Sequence, residues 1–171
     1  GVYFGGEVEA DRIVSEHEMI VDLSSGEVRS DNGEMYRNWL KKYGTIDTAM
    51  TKCVYGFLGE NQDMELNGLK VGCRTDFAVI AISSLTKSPI EHSDNILLTA
   101  VGRAKNTDAV FEGEKMLDWG KPPIIIEVIE AEIHLRTDVP NLKVWAVGPE
   151  GFFIGALPAR YEDGILKFEI G

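Results

Sequence analysis

The chain has 171 residues, 44% of them hydrophobic, and its 28 acidic and 17 basic side chains give a net charge of −11 and a pI near 4.7. That length and apolar content suffice for one sizeable core, whereas a catalytic (β/α)8 barrel needs about 250 residues of alternating strand and helix patterns. The acidic balance disfavours phosphate backbones and anionic membrane surfaces, so nucleic acid and membrane are not expected partners, while neutral ligands such as glycans stay open.

From the N-terminus, GVYFGGEVEAD lacks the basic and apolar regions of a signal peptide, as a module excised from a larger protein would in any case, and no run of eighteen apolar residues follows. Met19-Ile20-Val21-Asp22-Leu23 reads as a first strand and Glu27-Val28-Arg29 as a second, turning at Asn32-Gly33, a pair that tolerates positive φ at both positions. Further strands are expected near Glu34-Trp39, Thr45-Asp47, Thr51-Leu58 and Leu69-Cys73. Helical turns find room only around Tyr36-Tyr43 or Glu112-Trp119, and neither stretch has a good cap.

Phe77-Ser84 and Ile96-Arg103 are short runs rich in Val, Ile, Leu and Ala, bounded by Ser, Pro, Asn and Asp, and they predict paired strands in the interior. Ile124-Arg136 reads as one long strand. Ile129, Ala131, Ile133 and Leu135 fall on one face, and Glu130, Glu132, His134 and Arg136 on the other. Its first half, Ile124-Ile125-Ile126, is apolar on both faces, which predicts entry deep between layers. Val144-Val147 turns through Gly148-Pro149-Glu150-Gly151 into Phe152-Phe153-Ile154, and Asp163-Gly164 launches the alternating run Ile165-Gly171. Some ten short strands at regular spacing predict an all-β fold, a two-layer antiparallel sandwich of jelly-roll type.

Motifs for catalysis are missing: there is no G-x-S-x-G, P-loop, G-x-G-x-x-G or H-E-x-x-H. Of His17, His92 and His134, His92 falls on a loop between core strands and His134 shares a wet face with Glu132 and Arg136, where a salt-bridged role outweighs a catalytic one. Glu130 and Glu132 belong to the same charged stripe, which marks a solvated sheet face rather than a glycosidase pair. Cys53 and Cys73 sit in apolar runs and read as free thiols. Glu127 shares its parity with the apolar residues Ile125 and Ile129, so it needs a partner, and Arg103 at the end of a core strand is the candidate for a structural ion pair.

Several motifs resemble one family. Ser83-Ser84-Leu85, Pro89-Ile90, Ser93, Ile96-Leu97-Leu98-Thr99 and Gly102-Arg103-Ala104-Lys105-Asn106-Thr107 look like the non-catalytic all-β region that follows the barrel in large multimodular bacterial glycoside hydrolases, a region similar to carbohydrate-binding modules. Ser30-Asp31-Asn32-Gly33-Glu34, Gly44-Thr45-Ile46-Asp47-Thr48, Gly120-Lys121-Pro122-Pro123 leading into Ile126-Glu127, and Val144-Trp145-Ala146 fit the same pattern. Asn32 stands where the family has Thr, and Asp108 where it has Gly. The resemblance implies that residues 1–171 are one β-sandwich module of a larger secreted carbohydrate-active enzyme, extracellular or at the cell surface. Its expected role is to hold a polysaccharide or oligosaccharide for a catalytic domain of the same polypeptide. The module would not itself be an enzyme. The alternative is a structural sandwich that packs against the barrel or mediates assembly.

For glycan binding, Trp and Tyr would stack pyranose rings while polar side chains hold hydroxyls. Tyr36, Trp39 and Trp119, large aromatics in polar sequence, are the candidate platform; alternatively Trp39 and Trp119 cap edges of the core, and Trp145 fits either core or surface. No cofactor is expected and no metal is assigned, although a structural Ca²⁺ would suit oxygen ligands such as Asp31, Asn32, Asp94, Asn95 and Asp108.

Overall fold

The computed structural model describes residues 23–61, 63–113 and 115–171; the expected strand over Met19-Leu23 lies largely outside these, and His17 entirely so. Among the described residues the fold is all-β and every strand pair is antiparallel. The first strands are β1 (Glu27–Arg29), β2 (Met35–Asn38), β3 (Tyr43–Asp47), β4 (Thr51–Gly56), β5 (Met64–Leu66) and β6 (Leu69–Cys73). Then come β7 (Ala78–Ser84), β8 (Ile96–Val101), β9 (Ala104–Thr107), β10 (Val110–Glu112), β11 (Lys115–Asp118) and β12 (Lys121–Ile126). The chain closes with β13 (Ala131–Arg136), β14 (Val144–Val147), β15 (Phe153–Leu157), β16 (Ala159–Glu162) and β17 (Ile165–Ile170).

Two sheets form the sandwich, one ordered β1-β2-β3-β4-β7-β8 and the other β16-β17-β13-β6-β5. Their inner faces merge into one core, in which Val54, Ile80 and Ile82 of the first meet Leu69, Val71, Ile133, Leu135, Leu166 and Phe168 of the second. The alternation read in residues 129–135 is realised here, with Ile129, Ala131, Ile133 and Leu135 all buried. The jelly-roll connection is not seen, because β1 to β4 follow one another as a meander through short turns. The six-stranded sheet absorbs the Tyr36-Tyr43 segment as strand and turn rather than helix, and Asn38 fixes its bend by accepting from the Lys41 amide at 2.8 Å.

Turn chemistry acts largely as expected. Asp163 and Gly164 both take positive φ (51° and 76°) and link β16 to β17 as a two-residue hairpin. The β1–β2 turn differs: only Gly33 has positive φ, while the Asn32 side chain accepts from the Glu34 amide at 3.1 Å and from Ser30 Oγ at 2.7 Å. Asn32 therefore organises the turn through its side chain rather than its backbone.

Two expectations of interior strands are overturned. β7 and β8 do pair, but β8 is an edge strand whose outward residues Leu97 and Val101 are exposed, because no further strand or layer covers it among the described residues. Residues 124–136 are not one strand either. The chain leaves the pleat over Glu127–Glu130, so β13 is central in the five-stranded sheet while β12 pairs only with β9. Ile124, Ile125 and Ile126 are 65%, 47% and 69% exposed instead of deep between layers.

Candidate functional site

The described residues carry three kinds of surface on which function could rest: the aromatics, the paired charges and the projecting hairpins. The aromatics come first. Tyr36 lies on β2, near one edge of the six-stranded sheet, whereas Trp119 follows β11 on the excursion that leaves from β8 at the opposite edge. Four strand spacings separate β2 from β8, about 19 Å. Tyr36 thus belongs to the six-stranded sheet and Trp119 to a separate hairpin.

Tyr36 is already engaged. Its hydroxyl donates to Glu27 Oε2 at 2.5 Å and accepts from Asn38 Nδ2 at 3.1 Å, the Arg29 guanidinium lies 4.3 Å from its ring centroid, and the Tyr43 ring is 5.7 Å away. The Glu27 carboxylate, with a contribution from burial, pushes the Tyr36 phenol up to about 12. Trp39 is half-buried at the end of that strand and its amide donates to Gly26 O. Trp119 is 74% exposed, and its carbonyl is held by Asn106 Nδ2 at 2.9 Å.

Arg103 and Glu127 meet as a two-pronged pair. Arg103 Nε donates to Glu127 Oε2 and Nη2 to Oε1, both at 3.0 Å, and the Arg103 amide adds a third bond to Oε2 at 3.2 Å. Asp76 approaches the same guanidinium at 3.3 Å. The Arg103 hydrogen bonds hold the Glu127 carboxyl below its ordinary range. This cluster sits where the chain leaves β8 and where it returns toward β13, and Glu127 N donates back to Arg103 O at 2.9 Å. Its geometry is that of a structural clamp.

The two described histidines each pair with a carboxylate: His92 Nδ1 with Asp138 at 2.7 Å and His134 Nε2 with Glu132 at 2.8 Å. The His134–Glu132 pair borders the charged residues Lys70 and Arg136 on the outer face of the five-stranded sheet. No cluster of three His, Cys, Asp or Glu side chains suited to a metal occurs among the described residues. Asp108, one of the candidate Ca²⁺ ligands, instead pairs with Lys121 at 2.9 Å. Cys53, on β4, and Cys73, on β6, are free thiols in different sheets, and burial pushes both up. Two adjoining hollows share Gly68 and Arg136. One, beside Lys52 and Pro89, holds about 100 Å³, and the other, an open one beside Lys70 and His134, about 210 Å³. Both fall below the ~300 Å³ at which small-molecule sites begin.

Of the two hairpins outside the main sheets, the sequence predicts β14–β15 and misses the other. β9 and β12 form a two-stranded ribbon, which β10 and β11 continue at its tip, so residues 104–126 are an arm. A second ribbon, β14 with β15, turns at Gly148–Phe152. Fourteen large apolar side chains on these ribbons and at Val128 are exposed, among them Phe111, Trp119, Trp145, Phe152, Phe153 and Ile154. Phe152 and Ile154 reach 75% and 74% exposure. A signal for the arm is present in the sequence: Pro122 and Pro123 cannot donate to a ladder, which confines such a run to an edge. Both fall in the register shift between Lys121 and Ile124.

The two outer faces of the sandwich also differ. The five-stranded sheet turns Lys70, Glu132, His134, Lys167 and Glu169 outward, in line with the solvated stripe expected there. The six-stranded sheet turns Val79, Ala81, Leu97, Thr99 and Val101 outward. Comparison of the chain with protein-family models, with curated proteins and with solved structures gives no match. Among the described residues no helix is long and apolar enough to cross a membrane.

Proposed function

We propose that this chain is a non-catalytic β-sandwich module of assembly, which docks on another protein surface through its apolar ribbons. The observation that carries this reading is the concentration of fourteen exposed large apolar side chains on the ribbons and at Val128. Scattered exposed apolar residues are ordinary, but contiguous ones on projecting elements mark interaction sites. An isolated two-stranded ribbon is marginal in water, so an arm of this kind gains its stability from what it packs against. The small hollows support the non-catalytic part. This is the structural alternative to glycan binding raised by the sequence, without commitment to a barrel as the partner.

An apolar-surface dye tests the reading. The chain should bind the dye strongly while its arm is bare, or bind it only after dilution or arm substitution if the arm is already covered by a partner. A chain that stays dark throughout, with arm amides slow to exchange at every concentration, would mean that the arm folds back on its own sandwich, and the reading fails.

The glycan reading retains one favourable observation, the exposed ring of Trp119. A single stacking residue of this kind, with polar neighbours Asn106 and Asp118, supports weak sugar contact at the arm rather than a three-aromatic platform. Affinity electrophoresis against soluble plant polysaccharides tests it: retardation that is lost in Trp119→Ala supports a sugar site, and free migration through the whole panel removes it.

A further inference from the structure

We infer that a second copy of this chain covers the arm, so that the protein is a homo-oligomer held together by β9–β12; this rests on the assembly reading above. Three observations select that occupant. The first is that both faces of β12 are exposed among the described residues. Ile124 and Ile126 share one face with Ala104 and Asn106, and Ile125 shares the other with Lys105. An arm that lay along its own sandwich would bury one parity and expose the other, yet all six residues of β12 are exposed. Covering both faces takes more than one surface, which neighbouring copies supply by repetition.

The second observation is charge. Two chains of net charge −11 repel each other unless they meet where excess charge is low. Residues 104–126 carry four acidic and three basic side chains, and residues 144–157 carry Glu150 alone. Lys121 and Asp108 moreover neutralise each other within the arm. The acidic character therefore stays outside the ribbons, and copies can meet there at little electrostatic cost.

The third is area and the availability of a matching surface. A stable interface takes about 800 Å² from each partner, and one buried aromatic alone supplies about 150–250 Å². Phe111, Trp119 and the three isoleucines of β12 on the arm, 46–74% exposed, contribute toward that area, and Trp145, Phe152 and Phe153 on the second ribbon offer more. A copy of the chain also offers an acceptor, the outer face of the six-stranded sheet with Val79, Leu97 and Val101, which carries no covering layer among the described residues.

Sedimentation equilibrium of the full 171-residue chain near pH 7 tests the inference. The expected mass is a multiple of 18.9 kDa at micromolar concentration. Ile124→Asp with Ile126→Asp on one face, and separately Ile125→Asp on the other, should each weaken association about a hundredfold or more, since a carboxylate would have to be buried. Unchanged strand signal in circular dichroism shows that the sandwich persists. A monomeric wild type overturns the inference, and so does an oligomer that withstands both sets of substitutions. Should the variants lose their strand signal, the wild type decides: amide protection in β9 and β12 that rises with protein concentration supports the second copy, and protection that does not change rejects it. A monomer that binds the dye strongly refutes the second copy but leaves docking on a different protein standing, whereas a dark monomer with a protected arm refutes both.

Discussion

Strands β12 and β13 are separated by only four residues, both carry isoleucine, and their environments are opposite. Ile133 is fully buried, with β17 hydrogen-bonded on one side and β6 on the other, while among the described residues Ile125 has only β9 beside it and β12 is exposed on both faces. Hydrophobicity alone did not sort them. Position in a ladder did: a strand with two neighbours and an opposing sheet is dry on one face by construction, and a strand in a two-stranded ribbon is dry on neither until something docks on it.

The comparison is most easily broken at its buried end. Ile133→Ala should cost about 2–5 kcal/mol, as expected for a cavity in a packed core, and urea unfolding followed by circular dichroism measures it. A loss under about 1 kcal/mol would mean that the two sheets do not close over Ile133. Next in size is Gly120→Ala at the arm. Gly120 has φ of +66°, and a Cβ there would run into the Thr107 carbonyl and the Ala109 amide. The left-handed conformation alone costs a non-glycine residue about 1–3 kcal/mol. Amide exchange should quicken in β9 to β12 and stay unchanged in β13 and β7, and a uniform change would show that arm and sandwich unfold as one unit.

Glu127→Gln is a smaller perturbation at the junction of the two regions, and its signature is pH. Because Arg103 holds the Glu127 carboxyl below its ordinary 4.5, the ionised form is favoured by folding. The stabilisation is complete at pH values above that ordinary value and is lost as pH falls through the lower, folded-state value. The melting difference between wild type and variant should accordingly be steady at neutral pH and shrink in acid; a difference that grew in acid would reject the clamp. Smallest of all is Ile125→Ala. In dilute protein it should change stability by no more than about 0.5 kcal/mol, the range for surface substitutions, and a larger loss in the monomer would mean that the sandwich itself covers the arm.

Much of the sandwich was legible because its residues obey local rules. The alternation of residues 129–135, the Asp163-Gly164 hairpin and the Gly148–Gly151 turn each follow from side-chain period or backbone freedom, whereas the Glu127–Arg103 pair forms although Glu127 lies outside the strand whose parity suggested it. What could not be read is where apolar runs end up when their cover is not local. Ile124-Ile125-Ile126 looks the same whether a second sheet or a separate molecule excludes the water, and nothing in Glu127–Glu130 announces that the chain changes sheets. Tyr36 and Trp119 were grouped by their polar neighbours in sequence, a property that carries no information about which sheet edge each one occupies.

The clamp formed by Arg103, Glu127 and Asp76 has a mechanical side. One leg of the arm runs out of β8 in one layer, and the other runs through residues 127–130 to β13 in the opposite layer. A load on the tip is thus divided between the two sheets and resisted as shear across their shared core, with the clamp tying the legs together at the root. The projection is anchored like a bracket bolted to both walls of the sandwich, and tilting it means sliding one wall past the other.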